Sequence, residues 1–74
     1  MDKIEVGQER EFINRTDLDG RVIEKGTRVR VVFVVDEALE QTVTVVVLGR
    51  EPAESLTMPR HVLTLHSIPV HTRS

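Results

Sequence analysis

Two valine-rich runs dominate the pattern of apolar and polar positions, residues 28–35 (RVRVVFVV) and residues 42–48 (TVTVVVL). Both are rich in the β-branched residues that pack well on a pleated sheet, so both predict β-strands. Because the side chains of a strand alternate between its two faces, the odd positions share one continuous apolar face. We expect this face to form the core, built from Val29, Val31, Phe33, Val35, Val43, Val45 and Val47.

The residues between the two runs, 36–41 (DEALEQ), are short and acidic, and this predicts that the runs form a β-hairpin. A buried face fixes the register of a hairpin, because a slip of one residue turns every apolar side chain to the other side. The register that keeps the two odd faces together pairs Val35 with Val43, Phe33 with Val45 and Val31 with Val47. It also places Val32 opposite Val46 on the other face.

The even positions of the two runs carry a second, smaller apolar patch, which consists of Val32, Val34, Val46 and Leu48. Such a patch has to be covered, since long valine-rich strands aggregate when they are left bare. Cover by a loop or terminus of the same chain and cover by a partner both remain open. The second alternative predicts a protein interface, formed with a second copy of the chain or with a partner subunit.

The segments before the first run predict one more strand and two turns. Residues 9–13 (EREFI) are a candidate first strand, whereas residues 14–20 (NRTDLDG) are rich in the residue types that stabilise turns. Lys25 and Gly26 precede the first valine-rich run, and glycine there permits a tight turn. The chain is thus predicted to enter its longest strand from a loop and a tight turn.

The segments after the second run are short. Residues 49–55 (GREPAES) form a predicted loop, in which Pro52 prevents a regular continuation, and residues 56–59 a short extended segment. Residues 61–65 (HVLTL) predict a last strand, or a 3₁₀ turn that runs into one.

A chain of 74 residues is one small domain, and short strands joined by turns predict that it is all-β, most simply a small barrel or sandwich. We expect loose ends at about residues 1–8 and 67–74. A domain of this size buries roughly 60% of its unfolded surface, so its stability is modest unless something adds to the core.

The chain contains no cysteine. This excludes disulfides, thiol catalysis, cysteine-ligated zinc and iron–sulfur clusters, and it suits a reducing compartment. The first residues, MDKIEVGQERE, are charged and lack the apolar stretch of a signal peptide. No apolar run approaches the ~20 residues of a membrane span. We therefore expect a cytoplasmic protein.

Positive and negative charges are nearly balanced, with ten Lys and Arg, twelve Asp and Glu, and a net charge of -2. A broad phosphate-binding surface is therefore not expected. The aromatic content is two Phe, without Tyr or Trp, which removes most of the stacking surface that single-stranded nucleic acid binders use. Nucleic-acid binding remains the alternative function, and it would use the loop arginines Arg15, Arg21, Arg28, Arg30 and Arg60.

Candidate chemistry is sparse. Three histidines, His61, His66 and His71, invite a metal site, but a spacing of five places the first two on opposite faces of a strand. Residues 17–20 (DLDG) resemble the start of a calcium loop and lack its remaining ligands, so a turn capped by Asp side chains is the better interpretation. No nucleophile, phosphate or dinucleotide motif is present. We expect no enzyme activity, no cofactor and no metal.

Two phrases in the chain resemble SH3-like barrels. Residues 23–31 (IEKGTRVRV) match the phrase that closes the RT loop of that family, in which Lys and Gly precede an alternating strand. Residues 59–65 (PRHVLTL) have the shape of the family's proline followed by a 3₁₀ turn into the last strand. The resemblance covers roughly residues 12–68 and implies a small barrel of about five short antiparallel strands.

The departures from that family bear on function. Eukaryotic SH3 domains hold proline-rich peptides on a shelf of Tyr and Trp residues, whereas this chain has Val62 at the position that matches the shelf tyrosine. Binding of proline-rich peptides is therefore not carried over. The resemblance implies instead a barrel of the prokaryotic type, which often serves as a small accessory subunit or domain. We expect a non-catalytic protein-interaction or accessory module that self-associates or docks on a larger complex.

Overall fold

The computed structural model describes residues 4–36 and 40–70. In this part of the chain the elements are β1 (Glu9–Phe12), β2 (Thr16–Leu18), β3 (Arg21–Ile23), β4 (Arg28–Asp36), β5 (Gln41–Val47), β6 (Glu54–Pro59), α1 (Arg60–His66) and β7 (Ser67–Pro69). The valine-rich runs form β4 and β5, the longest strands, because β-branched side chains favour an extended backbone. The predicted first strand at residues 9–13 is confirmed as β1.

Five strands form one antiparallel sheet in the order β6-β5-β4-β1-β7, and β2 pairs with β3 in a separate hairpin. The prediction of an all-β domain is confirmed. The sheet is not closed into a barrel, since β6 and β7 are its two edges. The short helix α1 connects these edges, and no helix in the described ranges is long and apolar enough to cross a membrane.

The core lies between the inner face of the large sheet and the elements that cover it. Burial of apolar surface in such a layer is the main force that stabilises a small domain. The sheet contributes the alternate valines of β4 and β5, while α1 contributes Leu63 and the hairpin contributes Ile23. The whole buried cluster consists of Ile4, Phe12, Ile23, Val29, Val31, Val43, Val45, Val47, Leu56, Met58 and Leu63.

The register of β4 against β5 differs from the predicted one. The observed partners are Val29 with Val47, Val31 with Val45, Phe33 with Thr44 and Val35 with Thr42. None of the predicted pairs is among them, so the predicted register is wrong. The ladder shifts by one residue between Val31 and Phe33, which marks a β-bulge at Val32.

The bulge reverses which positions in the second half of β4 point into the core. Up to Val31 the odd positions point inward as expected, but after the bulge Val34 packs against the core. Phe33 and Val35 are exposed instead, and their assignment to the core is wrong. The physical reason is that one extra residue in a strand turns every later side chain to the other face.

The predicted loose ends are folded where the structure describes them. Ser67–Pro69 pair with β1, and Ile4 is buried in the core. The guanidinium of Arg10, which is fully buried, donates hydrogen bonds to Oγ of Ser67 (2.8 Å) and to its carbonyl oxygen (2.9 Å). This contact holds the segment after α1 on the sheet. Residues 1–3 and 71–74 of the predicted ends lie outside the described residues.

The segment predicted as a last strand or 3₁₀ turn is a helix, α1. It begins directly after Pro59, whose backbone is extended, and it buries Leu63 in the core with Val62 packed beside it. Seven residues are too few for a stable helix in isolation, so this packing stabilises it. The strand follows only afterwards, as β7.

The predicted tight turn at Lys25 and Gly26 is confirmed, whereas the predicted turn at residues 14–20 is confirmed only at its tip, because Thr16–Leu18 form β2. Within the hairpin between β2 and β3, Oδ1 of Asp17 accepts a hydrogen bond of 3.1 Å from the backbone N–H of Gly20, which is a turn capped by an Asp side chain. Gly26 has a φ of 92°, a conformation that glycine adopts without strain, and its N–H donates to the carbonyl oxygen of Phe12. Residues 37–39 of the predicted acidic loop lie outside the described residues.

Candidate functional site

The outer face of the large sheet carries an exposed apolar patch, which we define as Val32, Phe33, Val35 and Val46. The first three lie in the second half of β4, and their exposed fractions are 41%, 59% and 37%. Val46 lies on β5 and is half-buried. The bulge creates this patch, because without it Phe33 and Val35 would point into the core.

Two of the four residues predicted for the interface belong to the apolar patch. Val32 and Val46 lie on the outer face as predicted, although Val46 is paired with Arg30 rather than with Val32. Val34 does not belong to this face, because the bulge turns it towards the core. Val34 therefore does not lie on the face to which the sequence assigned it.

The fourth predicted interface residue, Leu48, lies away from the others. It is half-buried, one residue beyond the end of β5, and its N–H donates to the carbonyl oxygen of Arg28. Arg28 is the first residue of β4, whereas the apolar patch lies in the second half of that strand. The structure thus brings Phe33 and Val35 to Val32 and Val46, in place of Val34 and Leu48.

On the β6 side of the apolar patch the outward positions are uncharged. On β5 and β6 they form a hydroxyl strip, which consists of Thr42, Thr44, Ser55 and Thr57. Thr44 is paired with Phe33 on one side and with Thr57 on the other, and the hydroxyls of the two threonines are 3.1 Å apart. The apolar patch therefore continues into a neutral polar surface.

The part of the outer face around β1 is charged and internally neutralised. Arg28 donates from Nε to Oε1 of Glu11, and Arg30 donates from Nη2 to Oε2 of Glu9, both at 3.0 Å. Each pair joins residues that lie directly opposite each other on β1 and β4, a placement in which opposite charges stabilise a sheet. These contacts occupy two of the five arginines predicted for nucleic-acid binding.

The other three predicted arginines lie elsewhere. Arg21 contacts Glu54 at 2.9 Å, Arg15 approaches Glu24 at 3.9 Å, and Arg60 is the first residue of α1. The five arginines are thus distributed over the outer face, the hairpin and the helix, and four of them lie beside glutamates. Such a distribution does not produce the continuous positive surface that phosphate binding requires.

The two described histidines, His61 and His66, have different surroundings. Nδ1 of His61 is 2.8 Å from Oε1 of Glu40, while Nδ1 of His66 is buried and has no hydrogen-bond partner among the described residues. His71 lies outside the described residues. Within the described ranges, no three His, Asp or Glu side chains are grouped as metal ligands would be.

Sequence reasoning missed Phe33 and Val35 as surface residues. The signal was present in the five consecutive apolar residues 31–35, since alternation places at least two of them on the outer face of any strand. Which ones point outward depends on the bulge, and no residue in this run marks its position. The excess of apolar residues was therefore visible, but not their direction.

Comparison of the chain with protein-family models, with curated proteins and with solved structures found no match. The function of the chain has therefore to be inferred from the geometry of the described residues. Its main features are the apolar patch, the uncharged hydroxyl strip beside it and the pairing of the arginines with glutamates.

Proposed function

We propose that this chain is a small SH3-like domain that acts as a non-catalytic protein-interaction module and associates with a second copy of itself through the apolar patch. The order of the elements supports the SH3-like assignment. A hairpin follows the first strand, three strands then run antiparallel in sequence order, and a short helix leads to a last strand beside the first. This is the order expected from the RT-loop phrase and the proline-led turn in the sequence.

The observation that carries the interaction proposal is the exposure of Phe33, which is 59% accessible to solvent. Val32 and Val35, its neighbours on the outer face of β4, are also exposed, so the apolar surface is contiguous rather than scattered. Contiguous exposed apolar surface is unfavourable in water, and it marks interaction sites in many proteins. Aromatic side chains are moreover enriched at the centres of interfaces.

A second copy is the occupant that the charges favour. In a symmetric dimer the same surface meets itself, so a charged surface would bring like charges together. The apolar patch and the hydroxyl strip contain no ionisable side chain, and the arginines nearest to them on the outer face are paired with glutamates of β1. Self-contact at this face therefore meets no like-charge repulsion and needs no charged partner.

Association would also raise the stability of a domain whose core is small. A chain of 74 residues buries a limited core, and any partner that binds only the folded state raises its apparent stability. Cover over the second half of β4 would in addition remove exposed valines that favour aggregation.

The alternative function, nucleic-acid binding through the five arginines, is supported by no specific observation. Four of the five lie within ion-pair distance of a glutamate, which cancels most of their attraction for phosphate. A retardation assay at low salt with mixed oligonucleotides tests it, and binding that is lost in Arg28→Gln and Arg30→Gln would favour it over self-association.

The self-association proposal is tested with a variant that places charges in the apolar patch, Phe33→Glu together with Val46→Glu. We expect the unchanged protein to sediment as a dimer and the variant as a monomer, because each interface would then bring four carboxylates of like charge together and bury part of them. Since both positions are on the outer face, the β-sheet signal in circular dichroism stays the same in the variant.

Leu65→Glu provides a control. Leu65 lies on α1 and is 66% exposed, so the change adds one carboxylate, half the charge of the patch variant, to an exposed apolar position outside the patch. We expect this control to remain a dimer. A monomeric unchanged protein at the highest attainable concentration would overturn self-association, and so would a control that dissociates as completely as the patch variant.

A further inference from the structure

A cleft of about 170 Å³ opens between the hairpin and the edge strand β6. Its floor is formed by Ile23, Val47 and Leu56, which belong to the core cluster. Val22 of β3, which is 41% exposed, lines it as well. The floor of the cleft therefore carries apolar side chains, whereas polar and charged groups line the rest, and the cleft lies on the inner side of the sheet, away from the apolar patch.

Charged side chains surround the mouth of the cleft. Nη1 of Arg21 is 2.9 Å from Oε2 of Glu54, and Nη1 of Arg50 donates a hydrogen bond of 3.1 Å to Oε1 of the same carboxylate. Two guanidinium groups thus share one carboxylate, with one carboxylate oxygen for each. The mouth carries two positive charges against one negative charge, so it favours an anion.

Both arginines keep hydrogen-bonding capacity for a ligand. Each guanidinium contacts Glu54 through a single nitrogen, and in the described ranges its Nε and Nη2 have no hydrogen-bond partner. The side chains of Arg21 and Arg50 are 56% and 60% exposed, so solvent reaches these donors. A guanidinium fork matches the two oxygens of a carboxylate. The nearby Glu51 lines the adjoining depression rather than the cleft.

The volume of the cleft limits what it can hold. Sites for cofactors and drug-sized ligands begin at about 300 Å³, which is larger than this cleft. An apolar cavity of about 150 Å³ holds benzene. At about 170 Å³ the cleft therefore fits one compact apolar group, such as a branched aliphatic side chain.

We infer that this cleft binds a carboxylate that is carried on a compact apolar group. The apolar group lies over Val47 and Leu56, and the carboxylate accepts hydrogen bonds from the open donors of Arg21 and Arg50. Two sources have this chemistry, a free branched short-chain acid and the C-terminal residue of a polypeptide that ends in Leu, Ile or Val. The inference does not depend on the proposed function, because it concerns another surface.

The test is a heteronuclear NMR titration of the full chain. Isocaproate represents the free acid, and the peptide Gly-Ser-Gly-Ser-Leu with a free carboxyl end represents the polypeptide. Acetate lacks the apolar group and isocaproamide lacks the charge. We expect saturable shifts at the backbone amides that line the cleft, with affinity for acetate and isocaproamide weaker by about tenfold or more.

Three variants distinguish a ligand site from an ion-pair cluster that only supports the fold. Arg50→Gln and Arg21→Gln should each weaken binding about fivefold or more, because each removes a charged donor. Glu54→Gln should tighten binding, because it removes the carboxylate that competes for both arginines. Arg28→Gln removes an ion-paired arginine outside the cleft and should leave the affinity unchanged.

The relative affinities of isocaproate and the peptide identify the source, and preference for either supports the inference. Absence of saturable shifts with both ligands would overturn it, as would equal binding of acetate or isocaproamide. Unchanged affinity in Arg50→Gln would assign these three residues to stability alone, and weaker binding in Glu54→Gln would contradict the competition of Glu54 with the ligand.

Discussion

The two halves of β4 behave differently although the same residue type dominates both. In residues 28–31 alternation is strict, with arginines outward and fully buried valines inward. This half is flanked by β1 on one side and β5 on the other. Its arginines form ion pairs across the sheet, so all its polar and apolar groups have partners within the chain.

Residues 32–36 follow the bulge and have fewer neighbours. Pairing with β1 ends at Arg30, and Gly7 and Gln8 add backbone hydrogen bonds to Val31. In the described part of the chain the second half of β4 therefore has a strand beside it on one side only, β5. Its outward side chains are apolar and exposed.

The position of a valine relative to the bulge and to the adjacent strands, rather than its hydrophobicity, therefore decides whether it is buried or exposed. Val29 is completely buried and Val35 is 37% exposed, although both occupy odd positions of the same strand. The bulge between them reverses which positions point inward. The first half holds the fold together, and the second half is the surface to which we assign a partner.

The largest expected effect is the difference in stability loss between two aspartate substitutions, one in each half of β4. Val31→Asp buries a carboxylate without a partner and should lower the free energy of unfolding by about 3 kcal/mol or more, which is a large fraction of the stability of so small a domain. Val35→Asp should cost about 1 kcal/mol or less, because its side chain reaches water. Urea denaturation at a concentration that keeps both proteins monomeric measures the difference, and equal losses would contradict the comparison.

A smaller difference in stability is expected between threonine substitutions at two consecutive positions of the second half of β4, and it tests whether the bulge is present. Val34→Thr should lower the free energy of unfolding by about 1 to 2 kcal/mol, because the hydroxyl is placed against the core. Phe33→Thr should change it by about 0.5 kcal/mol or less, since threonine suits an exposed strand position. Thermal melts at a concentration that keeps the proteins monomeric compare the two variants, and the reverse order of stabilities would mean that β4 alternates without interruption.

The smallest effect concerns the ion pairs of the first half. A double-mutant cycle of Arg30→Gln and Glu9→Gln should give a coupling free energy of about 0.2 to 1 kcal/mol, the usual range for exposed pairs. The coupling should fall as salt is added, because the side chains are partly exposed and the charges are screened. Coupling that stays constant in high salt would show that packing, rather than charge, joins β4 to β1.

The features that depend on residues adjacent to one another in the sequence could be predicted. The valine runs predicted both long strands, because alternation and β-branching act within a strand. Asp17 and Gly26 predicted turns for equally local reasons, a side-chain hydrogen bond and a positive φ. The all-β class followed from these elements together.

The remaining features depend on contacts between distant segments. The bulge at Val32 follows from how β4 fits both β1 and β5, and the helix α1 exists because Leu63 reaches the core. The cleft combines Arg21 with Arg50 and Glu54, and their separation in the sequence gives no sign of their contact. A buried arginine was also overlooked, although alternation in β1 places Arg10 on the same face as Phe12.

The contact between Arg10 and Ser67 has a consequence for the order in which the chain folds. It joins positions 57 residues apart, and closing so long a loop is slow because the entropy is lost before the contact stabilises anything. Before β7 arrives, the guanidinium of Arg10 lacks its hydrogen bonds to Ser67, which makes its burial unfavourable. During translation, the sheet therefore cannot be completed before Ser67 has emerged from the ribosome.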